Sequence, residues 1–537
     1  EVSGALVAIG LVLSCVFLPC VFLTGISGMF FRQFALTIAV STLLSVINAL
    51  TLSPALCALL LKPRHEQRDW LTRILDFAFG WFFRLFNATF RVSTAAYTRA
   101  VGKLLRVSAL VLLVYGGLVY LTGWSVQRVP TGFIPTQDQG YVYAVVQLPD
   151  SASLKRTEEA MQRVDGVIRS TPGVAHTLRT AGMSFVLQAN GSHLGNMFIV
   201  LDPFEKRRSP ELSADAIMKT IRQRLAAEID EATVGVFGSP PIRGLGSTGG
   251  FRIMIEDRGG EGLEAIQAQT DALIEAGNNQ PGLVGLFSVF RANTPRLFVD
   301  VDRTKCKSMG LPLSEVFEAL QVNMGGLYVN DFNLFGRTWQ VNAQADIPFR
   351  MEPGDIRRLR VRNGKGEMVP LGAVASVKDS GGPFVINRYN MYPAASINGS
   401  WGPGMSTGQV IAAMERLATE QLPRSMGFDW TEVMYLQILA GQTTMFVFGG
   451  AVVLVFLVLA GQYESWSLPL AVILVVPMCI LCSVAGVAVA GMDMNIFTQI
   501  GFIVLVGLAS KNAILIVEFA KAKHESGMPR FEATQEA

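Results

Sequence analysis

Apolar runs occupy residues 5–23, 35–61, 107–124, 443–460, 468–490 and 496–520. Each is about as long as the 20 or so residues that a helix needs to cross a bilayer. They form two clusters of three, and the polar stretch between them, roughly 300 residues, has room for two or three domains. In that stretch residues 141–148 alternate like a strand, 153–170 carry helical periodicity, and 174–179 form a strand after the Pro172-Gly173 turn. The same order recurs at 251–256, 263–276 and 283–290, and begins again at 393–398 and 407–417. Repeated units of this length predict ferredoxin-like βαβ modules instead of one large sheet. Residues 296–377, with mixed strands and a helix near 313–322, look like a module inserted into the last of these. The expected fold class is an α-helical polytopic membrane protein with a large α+β region.

Charge orients the chain. Lys62, Arg64, Arg68, Arg73, Arg84, Arg91, Arg99, Lys103 and Arg106, against Glu66, Asp69 and Asp76, put residues 62–106 in the cytoplasm by the positive-inside rule. Alternation then sets residues 125–442 outside, 462–467 in a short cytoplasmic loop, and the tail with Lys521 and Lys523 inside. Within the cytoplasmic stretch Trp70, Leu71, Ile74, Leu75, Ala78, Trp81, Phe82, Leu85 and Phe86, widened by Phe77, form an apolar stripe at helical spacing. Such a helix is expected to lie in the membrane interface.

A composition of 50% hydrophobic and 16% charged residues fits this mixture of membrane and polar parts. The formal net charge of +3 gives no reason to expect a nucleic-acid partner. Cys15, Cys20, Cys57, Cys479 and Cys482 lie in apolar runs, which leaves Cys306 alone and no disulfide framework. Cys479 and Cys482 form a Cys-x-x-Cys, but no strand precedes it, so buried small side chains are expected there. The chain starts at Glu1 beside an apolar helix and stops in a polar stretch, and it is expected to be an excerpt of a longer protein.

One position breaks the apolar pattern. Lys511 stands near the middle of the run 501–520, where an ionised ammonium costs about 2.5–3.5 kcal/mol. Either it snorkels to the interface or it pairs with a carboxylate. None of the other apolar runs contains Asp or Glu, so the partner must come from sequence that is not here. Glu518, seven residues on and on nearly the same face, either extends a relay toward the cytoplasm or marks the helix end and faces water. Ser510 and Asn512 could hydrogen-bond relay groups.

Enzyme chemistry finds little support. No phosphate-cradling Gly-x-x-x-x-Gly-Lys-Ser/Thr is present, and Gly244-Leu-Gly-Ser-Thr-Gly249 is followed by a strand instead of a helix, against a dinucleotide site. His65, His176, His193 and His524 are scattered, without metal-ligand spacing. No catalytic residue, metal or cofactor is expected. An intramembrane lysine, clustered spans and a large external region point to a secondary transporter driven by an ion gradient.

Four stretches carry a resemblance that is more specific. Phe133-Ile-Pro-Thr-Gln-Asp-Gln-Gly140, Gly427-Phe-Asp-Trp430, Gly461-Gln-Tyr-Glu-Ser-Trp-Ser-Leu-Pro469 and Val506-Gly-Leu-Ala-Ser-Lys-Asn-Ala-Ile-Leu-Ile-Val-Glu-Phe-Ala520 resemble the resistance-nodulation-division efflux transporters, hydrophobe and amphiphile branch, in order and spacing. The resemblance implies that the chain runs from the family's fifth membrane span to its tenth. Residues 1–61 would hold two spans, 62–106 the cytoplasmic loop, 107–124 a third span, 443–521 three more, and 522–537 a truncated tail. The first porter module would be 125–240, the second 241–295 and 381–442, and the inserted docking module 296–380. The family's membrane aspartates lie on the absent fourth span, where a partner for Lys511 is needed.

The resemblance also implies a drug pocket beside a switch loop at 181–195, lined by Tyr143, Leu178, Met183, Phe185, Phe198 and Phe237, although ordinary core packing would place the same side chains. Gly244, Gly246, Gly249 and Gly250 resemble the substrate-access loop. The activity implied is proton-coupled efflux of hydrophobic and amphiphilic compounds by a homotrimer in the bacterial inner membrane, with a periplasmic adaptor protein and an outer-membrane channel. Two other readings stand beside it: heavy-metal efflux, a branch that uses methionine pairs in the pocket, although Met183 and Met197 lack an obvious third partner here, and a membrane-anchored export or assembly factor.

Overall fold

The computed structural model describes residues 3–60, 70–242, 244–246, 249–402, 404–441 and 443–537. Among these, five helices are long and apolar enough to cross a membrane: Gly25–Leu60, Ser108–Arg128, Glu432–Tyr463 (through position 442, outside the described residues), Ser467–Val489 and Ile496–Glu525. The run expected over 5–23 folds differently, as the helix Ser3–Val16 and a short turn of helix Leu18–Val21. Pro19 explains the break, since its ring takes away a backbone donor and clashes with the preceding turn. The next helix begins at Gly25, ahead of the start expected at 35.

Helix Trp70–Arg106 carries the predicted aromatic stripe in part. Phe82 stacks on Phe86 at 6.4 Å and Phe86 on Phe90 at 6.2 Å, all on an exposed face. Trp81 and Leu85 are exposed as well, and the side chains of residues 70–78, which hold the first half of the stripe, lie outside the described residues.

Two sheets follow. The first has the order β2-β3-β1-β4, with β1 Tyr141–Gln147, β2 Val174–Ser184, β3 Ala189–Leu201 and β4 Thr233–Gly238, all antiparallel neighbours. Helices Leu154–Arg169 and Ala214–Glu228 cover one face, because Val142, Ala144 and Val146 on β1 and Met197 and Ile199 on β3 alternate toward Val164, Ile168 and Ile221. The opposite face carries Tyr141, Tyr143, Val145, Phe198 and Phe237, and none of the helices among the described residues that pack on this sheet covers it.

The second sheet is built on β5 Phe251–Asp257 and β14 Tyr392–Trp401, joined by β6 Leu283–Phe287, β13 Asn387–Tyr389 and β15 Met426–Trp430. Helices Leu263–Asn279 and Thr407–Gln421 pack on it through Leu273, Val410 and Met414. Between β6 and β13 the chain leaves the sheet as β7 Thr294–Val301 and returns as β12 Ala375–Gly382, the two strands pairing with each other. The segment between them has its own small core of Cys306, Leu311, Val316, Val361, Leu371 and Val374, and the exposed hairpin of β8 Leu327–Leu334 and β9 Arg337–Ala343.

The turn after β5 is fixed by one carboxylate. Gly260, Glu261 and Gly262 donate backbone N–H groups to Asp257 at 2.7, 3.0 and 2.9 Å. Burial alone would raise the Asp257 carboxyl, but these donors outweigh it and hold it below the ordinary carboxylate range. A depressed pKa contributes stability above the unfolded value of about 3.9, and that contribution is lost as pH falls through the folded value. Asp257→Ala is therefore expected to destabilise the sheet-rich region by about 1–3 kcal/mol at neutral pH. Thermal unfolding should show the gap between variant and wild type closing in acid; a gap that does not change with pH would refute this role.

Candidate functional site

Helix Ile496–Glu525 begins at Asn495, whose side-chain oxygen accepts from the N–H groups of Phe497 and Thr498 at 3.1 and 3.2 Å. Its buried residues, Ile496, Ile500, Ile503, Val506, Gly507, Ser510, Ala513 and Ile514, repeat at helical spacing and form one stripe. Gly507 lets the helix Ser3–Val16 come close, since a Cβ there would meet Leu13 at 2.5 Å. Ser510 lies within this stripe, and its hydroxyl donates to the Val506 carbonyl at 2.6 Å, one turn back in the same helix.

Lys511 lies about 100° around the helix from Ser510, off the buried stripe. It and Asn512 are exposed, and no described residue makes a hydrogen bond or ion pair with Lys511. Glu518 projects within about 20° of Lys511 and some 10 Å along the axis. It is half-buried, with Oε1 3.9 Å from where a Cβ on Gly4 would stand. Close by, Gln462 donates to the Gly4 carbonyl at 3.4 Å, and Lys521 Nζ lies 5.8 Å from the centre of the Tyr463 ring. Cys479 and Cys482, on helix Val476–Val489, carry free thiols.

The second cluster lies on the helix-free face of the first sheet. Tyr143 packs edge-on against Phe198 at 4.5 Å and against Phe185 at 5.4 Å. Leu178 pairs in register with Phe198 across β2 and β3. Phe198 is 41% and Leu178 64% exposed, so this group opens to the surroundings, and Met183 at the hairpin is 40% exposed. Phe237 differs: it is 3% exposed and stacked on Phe287 of the second sheet at 4.9 Å. With Val145, Val186 and Val289 it forms a core between the two sheets, on which the half-buried Phe185 also packs, and it pairs in register with Tyr143 across β1 and β4.

Asn196 and Ser184 hold the hairpin over the sheet. Asn196 donates from Nδ2 to the Met183 carbonyl at 2.6 Å and accepts from Phe185 N–H at 3.3 Å, while Ser184 Oγ accepts from Leu187 N–H at 3.2 Å. Both side chains are buried. Sequence reasoning missed them, although an Asn inside the apolar run of β3 was the available signal. In the glycine-rich loop, Gly244, Gly246 and Gly250 have φ of 89°, 151° and 111°, which favour glycine. A Cβ on Gly249 would stand 2.6 Å from the Ser239 carbonyl and 2.7 Å from that of Gly238, so the end of the loop packs against the end of β4. Residues 243, 247 and 248 of this loop lie outside the described residues.

The whole chain, residues 1–537, matches the AcrB/AcrD/AcrF family. It is 36% identical over 543 residues to the multidrug/solvent efflux pump membrane transporter MepB of Pseudomonas putida, covering 100% of this chain and 50% of that protein. It is 37% identical over 528 residues to the multidrug export protein AcrF of Escherichia coli strain K12, covering 97% and 50%. Against the multidrug resistance protein MdtF of the same strain it is 35% identical over 542 residues, covering 100% and 51%. The chain therefore belongs to the AcrB/AcrD/AcrF family of resistance-nodulation-division efflux transporters. It spans about half the length of the curated relatives it matches.

The Asn196 contacts have a measurable consequence. Asn196→Leu keeps the branched outline of the side chain but removes both hydrogen bonds, at a cost of about 1–3 kcal/mol to the local hairpin. Hydrogen–deuterium exchange at 183–189 is expected to speed up while exchange in β1 stays slow. Unchanged exchange at the hairpin would mean that apolar packing alone holds it.

Proposed function

We propose that this chain is part of the inner-membrane subunit of a proton-antiport efflux pump for hydrophobic and amphiphilic compounds. The observation that carries the reading is Lys511, a lone ammonium on an apolar helix, turned off the stripe that packs on the chain's own helices. Its partners would be carboxylates on the half of the relatives' length that this chain does not cover. When those carboxylates are ionised they pair with Lys511; when they take up protons the attraction ends, and the helices rearrange. Glu518 would extend the relay toward the cytoplasm, with Asn512 at its side. Ser510, bonded within its own helix, would act only by bending that turn.

The β-α-β-β-α-β order of the first sheet supports a ferredoxin-like porter module over 125–240. The second porter module would be 241–295 with 381–442, and 296–380 the docking module, all in the periplasm. Helix Trp70–Arg106 would rest its exposed aromatic ladder on the cytoplasmic face of the membrane. Varied amphiphiles need apolar, repackable walls with few fixed polar groups. Tyr143, Leu178, Met183, Phe185 and Phe198 supply these, while Phe237 would support them from behind. Relatives named for multidrug and solvent efflux favour this cargo. Met197 is buried under the helices and Met183 is exposed at the hairpin, which argues against a methionine pair for metal ions. Homotrimer assembly with a periplasmic adaptor and an outer-membrane channel completes the reading.

Lys511→Met in the full-length protein is expected to abolish efflux without lowering the amount of folded protein, because losing the charge eases insertion. Lys511→Arg should also fail, since a planar guanidinium poorly replaces a compact ammonium. Export at the wild-type rate by Lys511→Met would remove this lysine from the coupling machinery. For the pocket, Phe198→Ala should weaken binding by about 1–3 kcal/mol, more for bulky compounds than for small ones. Susceptibility profiles in an efflux-deficient bacterium would show uneven changes; identical profiles for every compound would make Phe198 a packing residue only.

A further inference from the structure

Three segments far apart in sequence meet at the membrane end of the sheet-rich region. Residues 130–133, just after helix Ser108–Arg128, form a short parallel bridge with the loop that leads into helix Ile496–Glu525, pairing Thr131 with Met494. Met494 N–H donates to the Pro130 carbonyl at 2.8 Å, Gly132 N–H to the Met494 carbonyl at 3.0 Å, and Ile496 N–H to the Phe133 carbonyl at 2.9 Å. The other side of the same segment holds the helix Thr407–Gln421 of the second sheet. There Gly408 N–H donates to the Thr131 carbonyl at 3.1 Å, and Phe133 N–H donates to Thr407 Oγ1 at 3.2 Å.

Much of this joint is protected from water: Phe133, Ile134, Thr407, Met494, Asn495 and Ile496 are all buried, while Thr131 itself is exposed. Buried hydrogen bonds cannot be exchanged for water without a desolvation cost, so the three segments move as one unit. The fit is close on both sides. A Cβ on Gly408 would stand 2.5 Å from Thr131 Oγ1 and 2.7 Å from its carbonyl oxygen, and the Asp493 carboxylate fills the space beside Gly132. Ile496 is the first residue of the helix that carries Lys511, and Thr407 the first residue of a helix that packs on the second sheet. One four-residue segment therefore bonds the starts of both helices.

We propose that residues 130–133 are a strap that carries displacement of helix Ile496–Glu525 into the second sheet, with Thr407 and Gly408 as positioning residues. This rests on the proton-coupled reading of Lys511. A shift of the relay helix along its axis pulls Phe133 and Thr131, and these pull the start of helix Thr407–Gln421. The external region is then driven through hydrogen bonds as well as through its covalent links to the membrane helices.

The test uses full-length protein in proteoliposomes with an imposed pH gradient and a lipophilic cationic dye as the transported probe. Dye binding and the dye-dependent increase in proton flux are measured separately. Thr407→Val keeps the shape but loses the acceptor for Phe133 N–H, and the dye-dependent flux is expected to fall about fivefold, the size of one net hydrogen bond, with dye binding unchanged. Thr407→Ser restores the acceptor and should restore the flux. Gly408→Ala reaches the same joint by steric means and should lower the flux in the same way. A wild-type flux increment in both Thr407→Val and Gly408→Ala overturns the strap, as does a Thr407→Ser that fails as badly as Thr407→Val. Wild-type dye-dependent flux in Lys511→Met would instead overturn the relay reading, whatever the Thr407 variants do.

Discussion

An ammonium group midway along a membrane helix is stable only if it is paired or reaches water, and this constraint organises the helical part of the chain. Helix Ile496–Glu525 spends its buried stripe on packing against the chain's own apolar helices, with Gly507 allowing the close approach of Leu13. That packing fixes the rotation of the helix. Lys511 is then held on the neighbouring flank, where no described residue answers its charge. Swapping Gly507 for a larger residue would turn or displace the helix and misdirect Lys511, so a packing detail and the charge geometry are one constraint.

The sheet-rich region follows a different rule. Each sheet buries one face under two helices and leaves the other to be covered by something else. In the first sheet that second face is divided. Phe237, Val145 and Val186 close against Phe287 of the second sheet and Val289 just beyond it, with the half-buried Phe185 packed on their edge, while Phe198 and Leu178 remain open beside the half-buried Tyr143. The open part is lined by aromatic rings that touch one another, and its rim is the hairpin that Asn196 and Ser184 hold down. A surface of this kind suits ligands that share apolar bulk but not shape.

Much of this was legible from residue order, and the failures have physical causes. Lys511 was conspicuous because a single charge in an apolar run needs an explanation, and the helices 154–169 and 263–279 followed from periodicity. The first apolar run reads as one span, but the helix breaks just ahead of Pro19, whose ring removes a donor that a hydropathy average does not register. By residue order Phe237 belongs with the open aromatics, because its partner Phe287 is distant in sequence and lies in another sheet. Ser510 is available to a relay by sequence, yet its own helix offers an acceptor at Val506. The joint of residues 130–133 with Thr407 and Met494 carries no local pattern, since each piece is an ordinary loop or helix start until the fold brings them together.

Everything proposed for the helical part rests on Lys511 being turned toward carboxylates outside this chain. An experimental structure of the full-length protein in a lipid bilayer, at a pH where carboxylates are ionised, tests that orientation. The Lys511 ammonium is expected within salt-bridge distance, about 4 Å, of a carboxylate from a neighbouring membrane helix. A Lys511 side chain extended to the headgroup region, with no carboxylate near it at any pH, would rule the pairing out.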